Sequence, residues 1–157
     1  MSEVPTVETT HPYTTVYTDG SSTGGWGPGG WAWCVIDGPN AGLSGMGGHT
    51  WTTNQRMELK AAWDAVRCLP GLLLVVSDST YVVNCFTQRW WDGWDRRGWH
   101  KVKNADLWRP FIADFLARNG EVRFAWIKGH SGLAGNEEAD RLAKFAKQVH
   151  TPEPARG

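Results

Sequence analysis

The run Leu72–Val76 (LLLVV) most constrains what this chain can fold into. A strand with one wet face alternates apolar and polar residues. An unbroken apolar run of strand length is covered on both faces, as in sheets flanked by helices. Pro70-Gly71 before it and Ser77-Asp78 after it limit the run to a strand. One covering helix is legible directly upstream. Over Asn54–Leu69, the residues Ala61, Ala62, Ala65, Val66 and Leu69 recur at spacings of three and four. Thr53 or Asn54 caps its start, and Pro70 stops it. At 157 residues, 41% of them apolar, the chain can bury one core without disulfides or structural metal.

The other elements follow from local signals. Thr15–Asp19 is a β-prone segment, followed by a glycine-rich loop over Gly20–Gly30. Trp31–Ile36 is a second strand, closed by the turn residues Asp37–Asn40. Leu43–Thr50 is a weaker third strand, thinned by Gly45, Gly47 and Gly48. These three make an antiparallel meander. After Leu72–Val76 come a helix over Ser79–Phe86, a Trp-rich stretch over Trp90–Trp99 and a helix over Asp106–Asn119. A strand, Glu121–Ile127, then precedes a glycine-bearing loop. Asn136 is expected to cap a last helix, with Ala139, Leu142, Ala143, Ala146 and Val149 facing inward. A meander followed by βαβ units gives an α/β fold: a mixed five-stranded sheet, its first three strands antiparallel, with helices on both faces.

Three carboxylates sit where solvated side chains do not belong, and a fourth, Asp140, is a softer case. Asp19 ends the first strand, Asp78 ends the most apolar strand, and Glu58 lies on the core stripe of a helix. Asp140 borders the apolar stripe of the last helix. A buried carboxylate without compensation costs several kcal/mol. No Lys or Arg lies close in sequence to Asp19. If the first and fourth strands run side by side in parallel, Asp19 and Asp78 meet at their carboxyl ends, where open α/β sheets gather ligands. An all-oxygen cluster suits Mg²⁺, with Mn²⁺ as a substitute, and two such ions are the usual device for phosphodiester chemistry.

At this point the chain resembles the type 1 ribonucleases H. The resemblance is carried by YTDGS (Tyr17–Ser21), GPGGWAW (Gly27–Trp33), TTNQRMELKAA (Thr52–Ala62), SDSTYV (Ser77–Val82), GWDRRGW (Gly93–Trp99), VKNADLW (Val102–Trp108) and WIKGHSG with GNEEADRLA (Trp126–Ala143). It implies a ribonuclease H-like fold and a tetrad of Asp19, Glu58, Asp78 and Asp140 holding two Mg²⁺ ions. It implies endonucleolytic cleavage of the RNA strand of RNA–DNA hybrids, leaving 5′-phosphate and 3′-hydroxyl ends. His130, in the GHSG motif, joins the catalytic set as a proton mover or an aid to product release. Thr53 and Asn104 match positions that bind a DNA phosphate, and Asn54 and Gln55 match positions that touch bases in the minor groove. Gly20 and Ser21 would offer backbone groups to ribose 2′-hydroxyls. Trp90 and Trp94 match the aromatic positions of a basic protrusion that grips the DNA strand, with Arg96 and Arg97 beside them.

Charge tempers that last expectation. The chain carries 16 Lys+Arg against 16 Asp+Glu, so attraction to a polyanion must be local. Segment 89–103 has five basic residues and two aspartates among four tryptophans, a composition suited to backbone and sugar contact. The domain is expected over residues 13–149, with frayed tails at 1–12 and 150–157. Three cysteines without CxxC spacing are expected to be buried reduced thiols of a cytoplasmic protein. No membrane association is expected, and a monomer is. Two other classes remain open on the residues alone: another nuclease or integrase core of this fold, and a non-catalytic hybrid-binding module.

Overall fold

The computed structural model describes residues 12–152. The expected tails at 1–12 and 150–157 fall mostly outside that range. Five strands form one sheet in the order β3-β2-β1-β4-β5. They are β1 (Thr14–Ser22), β2 (Gly27–Asp37), β3 (Ser44–Thr52), β4 (Leu73–Ser77) and β5 (Val122–Trp126). The first three are antiparallel neighbours, while β4 runs parallel to both β1 and β5. Among the described residues the helices are α1 (Asn54–Cys68), α2 (Thr80–Thr87), α3 (Trp90–Arg96), α4 (Ala105–Ala117) and α5 (Ala134–His150). The expected α/β architecture is observed.

Two adjacent glycines in β2 show that helices cover both faces. Side chains alternate across a strand. A Cβ at Gly29 would strike Met57 of α1, whereas one at Gly30 would overlap the backbone of α5 at Ala143 and Lys147. The main core lies on the α1 face, where Val16, Leu59, Leu73, Val75, Trp108 and Phe111 are fully buried. Trp108 is its hub. Its ring packs on Phe86, Phe111, Tyr81 and Trp94, and its indole N–H donates to the Tyr81 hydroxyl at 2.8 Å.

Several local expectations change. The glycine-rich segment Gly20–Gly30 is mostly strand: β1 and β2 pair through Ser22 and Gly29, leaving a short turn over 23–26. The glycines that weaken β3 have a packing reason. The Trp33 indole lies across Gly45 and the Trp31 indole across Gly47, each on its cross-strand partner. Asn136 does not cap α5. The helix begins two residues earlier, at Ala134, because Gly135 already lies against the Tyr17 ring, and Asn136 is buried in the first turn. Val149 is 63% exposed rather than inward. Cys34 and Cys85 are buried free thiols as expected, but Cys68 is exposed at the end of α1. No helix of the described residues is long and apolar enough to cross a membrane.

Trp108→Ala should cost about 3–5 kcal/mol of stability, since it removes a fully buried indole and its hydrogen bond. Urea unfolding of the variant measures this. A loss under about 1 kcal/mol would show that Trp108 is not the hub.

Candidate active site

The parallel pairing of β1 with β4 brings Asp19 and Asp78 to the same end of the sheet. Asp19 shares the α5-facing side of β1 with Tyr17, two residues earlier, whose ring meets Gly135 of α5. Glu58 arrives from the opposite side, on α1. The two meet because α1 lies directly on β1 at Gly20: any Cβ there would overlap the Glu58 amide and the Met57 carbonyl carbon. One carboxylate oxygen from each of Asp19, Glu58 and Asp78 lies within 4.8 Å of the others. Asp140, on α5, hydrogen-bonds the Asp19 side chain. Asp19, Glu58 and Asp78 thus form one cluster, and Asp140 adjoins it through Asp19.

Their electrostatics are those of like charges buried together. Burial first, then the Asp78 charge, push the Asp19 carboxyl up to about 8, and the hydrogen bond with Asp140 adds to the rise. Burial, then the charges of Asp19 and Asp78, hold Glu58 well above the usual carboxylate range. Asp78 is also raised, mainly by burial, and His130 works against that shift. Glu58 Oε1 is buried and has no hydrogen-bond partner among the described residues. The only cation against the tetrad within the described ion pairs is Lys144, whose Nζ lies 3.0 Å from Asp140 Oδ2. An orphaned buried carboxylate oxygen in an all-oxygen donor set fits a hard divalent cation such as Mg²⁺ or Mn²⁺.

The remaining expected residues are distributed around this centre. Gly20 donates its N–H to Asp19 Oδ1 at 2.9 Å, and Ser21 follows it on β1. Thr53 is the N-cap of α1, where its hydroxyl oxygen accepts from the Arg56 N–H at 3.3 Å. Asn54 is exposed and Gln55 half-buried on the first turn of α1. Asn104 is fixed on both sides: Arg56 donates to its Oδ1 at 3.2 Å, and its Nδ2 donates to Tyr81 Oη at 3.1 Å. His130 is exposed, at φ 55°, in the loop after β5.

The protrusion is less cationic than its composition suggests. Trp90 and Trp94 are half-buried and pack against each other and the core. Arg96 is committed to Asp92 at 2.6 Å, one helical turn away, while Arg97 is exposed.

Four positioning residues escape the sequence reading. Arg56 grips Asp106 with both guanidinium nitrogens, at 2.9 and 2.6 Å, while bonding Asn104. Tyr81 joins Asn104 to Trp108. Trp126 donates its indole N–H to the Asp78 carbonyl at 3.0 Å. Lys144 faces Asp140. Only Lys144 had a sequence signal, the four-residue helical spacing from Asp140. The other contacts span 23 to 50 residues and carry no local signature.

Known proteins resemble this chain in sequence and fold. The family model described as RNase H matches residues 11–148. A ribonuclease H of Methylorubrum extorquens is 44% identical over 141 residues, covering 86% of this chain and 60% of that protein. One from Saccharopolyspora erythraea is 42% identical, covering 82% of this chain and 86% of its own length. The crystal structure of LC9-RNase H1, a type 1 RNase H with the type 2 active-site motif, superposes with a TM-score of 0.73 at 30% identity, covering 89% of this chain and 74% of that one. LC11-RNase H1, solved in complex with an RNA/DNA hybrid, has the same fold, with a TM-score of 0.64 at 20% identity over 86% of this chain and 96% of that one. Similarity of this extent reaches from β1 into the last turn of α5, through the elements that carry Asp19, Glu58, Asp78 and Asp140, and the chain belongs to the RNase H family.

Proposed function

We propose that this chain is a metal-dependent endonuclease that hydrolyses the RNA strand of RNA–DNA hybrids, leaving 5′-phosphate and 3′-hydroxyl ends. The observation that carries the reading is the buried, unpartnered Glu58 Oε1 among carboxylates within 4.8 Å of one another. A binding module has no use for such an arrangement, which is costly without a cation. Asp19, Glu58, Asp78 and Asp140 would hold two Mg²⁺ ions, with Mn²⁺ able to substitute. Bound there, the ions would supply an activated water and neutralise charge on the leaving oxygen.

The chain's own groups bind and orient the hybrid. The backbone at Gly20 and Ser21 faces the ribose 2′-hydroxyls, which separates RNA from DNA. Thr53 has a hydroxyl hydrogen left to donate, and Asn104 retains one amide N–H, so both suit a phosphate of the DNA strand. Asn54 and Gln55 point to the minor groove from the first turn of α1. Trp90, Trp94, Arg96 and Arg97 steady the DNA strand further out, weakly, because Asp92 already neutralises Arg96. His130 acts as a movable imidazole near Asp78 during proton transfer or product release. The domain spans 13–149 and works as a monomer in the cytoplasm.

Incubation with Mg²⁺ and labelled RNA–DNA, double-stranded DNA or double-stranded RNA should give cleavage of the hybrid's RNA strand alone. Asp78→Asn should abolish it. Cleavage of double-stranded DNA would instead favour another nuclease of this fold.

Without metal, the tetrad should make stability depend on pH. An Asp near 4 in the unfolded chain and about 8 when folded binds more protons in the native state between those values. Its stabilising contribution is complete below about pH 4 and is lost as pH rises through about 8. Glu58 and Asp78 shift in the same direction. In EDTA, the melting temperature should therefore fall from pH 5 to pH 8, by about 2–4 °C for each kcal/mol lost. Asp19→Asn should flatten the profile, and Mg²⁺ should raise the melting temperature at pH 8. A rising profile would refute the assigned shifts.

His130→Ala should leave measurable cleavage, reduced by no more than about 10²–10⁴-fold, with hybrid affinity near wild type. Inactivity equal to that of Asp78→Asn would make the imidazole indispensable.

A further inference from the structure

Trp26 and Trp51 form an aromatic pair that the proposed mechanism does not use. Trp26 closes the β1–β2 turn and Trp51 lies near the end of β3, side by side because Gly27 pairs with Thr52. Their rings stack with centroids 5.9 Å apart and planes 21° from parallel. Yet the two residues are 54% and 62% exposed, so the stack leaves broad indole surface in water. Nothing in the core requires this: neither ring belongs to the buried cluster or to the hydrophobics packed against it.

The surroundings indicate what such a surface takes. The pair borders a groove of about 470 Å³ that Arg56, Lys60 and His49 also line, with Asp106 as its one acidic residue. Arg56 is paired with Asp106 and the His49 Nδ1 accepts the Trp51 backbone N–H, so Lys60 is the cation the groove offers to a phosphate, while the indole faces offer stacking to a base. Thr53, two residues beyond Trp51, caps the helix that carries Glu58. At 1.5 Å per residue, Thr53 and Glu58 are about 7.5 Å apart along α1. The pair thus flanks the hybrid-binding face. Bases within a duplex already have both faces covered by their neighbours, so only an unpaired base offers a whole face to an indole.

We propose that Trp26 and Trp51 form a stacking platform for unpaired deoxynucleotides of the DNA strand flanking the hybrid. The platform favours hybrids that end in single-stranded DNA over blunt ones. The choice of strand rests on the reading above that Thr53 and Asn104 hold a DNA phosphate.

The test is equilibrium binding by fluorescence anisotropy in EDTA. Its ligands are a blunt RNA–DNA hybrid, the same hybrid with a DNA extension at either end, the same with an RNA extension, and a free DNA oligonucleotide. Wild type should bind one of the DNA-extended hybrids on the order of tenfold tighter than the blunt hybrid. Trp26→Ala and Trp51→Ala should each remove most of that gain, and Trp51→Tyr should keep most of it. Blunt-hybrid affinity of the same variants serves as the control for folding. The proposal is overturned if wild type binds blunt and DNA-extended hybrids equally, or if an RNA extension gives the same gain. It is also overturned if the alanine variants weaken blunt and extended hybrids alike. If wild type bound the free DNA oligonucleotide but no hybrid, and Trp51→Ala lost that binding, the hybrid reading would fail and the stacking platform would stand.

Discussion

Asp19 and Glu58 approach one another from opposite faces of the sheet, and their carboxylates repel. What holds them together is backbone. α1 rests on β1 at Gly20, where no Cβ would fit, and this contact carries Glu58 to the edge that Asp19 occupies. On the other face, Gly135 and Gly30 let α5 lie equally close, which brings Asp140 to Asp19. The cluster is thus positioned by close packing of main chain and not by attraction among its members. Protons on raised carboxyls, or a divalent cation, then relieve the repulsion that packing imposes.

The sequence carried the elements best where signals were local. The apolar run of β4, the stripe of α1 and the strand-end placement of Asp19 and Asp78 all follow from periodicity and punctuation within a few residues. It carried them worst where pairing over distance decides. Gly27–Gly30 read as loop, since glycine disfavours strands, but cross-strand pairing with β1 and β3 makes it strand. Asn136 has good capping chemistry, yet docking of Gly135 on Tyr17 starts the helix earlier. Glu58 was legible because a carboxylate on an apolar stripe is anomalous in one dimension, Asp19 and Asp78 because they end strands, while Asp140 joined them through the family resemblance. Arg56, Tyr81 and Trp126 are ordinary in one dimension, and only the fold gives them partners.

Charge balance bears on the proposed hybrid-binding face. With equal numbers of acidic and basic residues, the chain has no global field to draw in a polyanion. Its cations are also partly spent internally: Arg56 on Asp106, Arg96 on Asp92, Lys144 on Asp140. Each pair is at least partly solvated, so the pairs add little stability. They do fix the geometry of the groups around them. On the reading proposed above, exposed tryptophans such as Trp26 and Trp51 would compensate, because stacking on a base needs no net charge.

The same aromatic packing ties the chemistry to the grip. α2 begins directly after Asp78, and its Tyr81 accepts hydrogen bonds from both Asn104 and the buried Trp108. Trp108 in turn packs on Trp94 of the protrusion. The carboxylate at the end of β4, the amide assigned to the DNA phosphate and the root of the protrusion therefore belong to one rigid body whose spacing the core sets. His130 stands outside it, exposed on a glycine-bearing loop at positive φ. The groups proposed to hold the duplex are built on the core, whereas the imidazole proposed to move a proton or aid release sits on an exposed loop. Packing underlies that division: the imidazole is exposed, whereas a shift of α2 by even a fraction of an ångström would disturb Tyr81, Trp108 and Asp78 together.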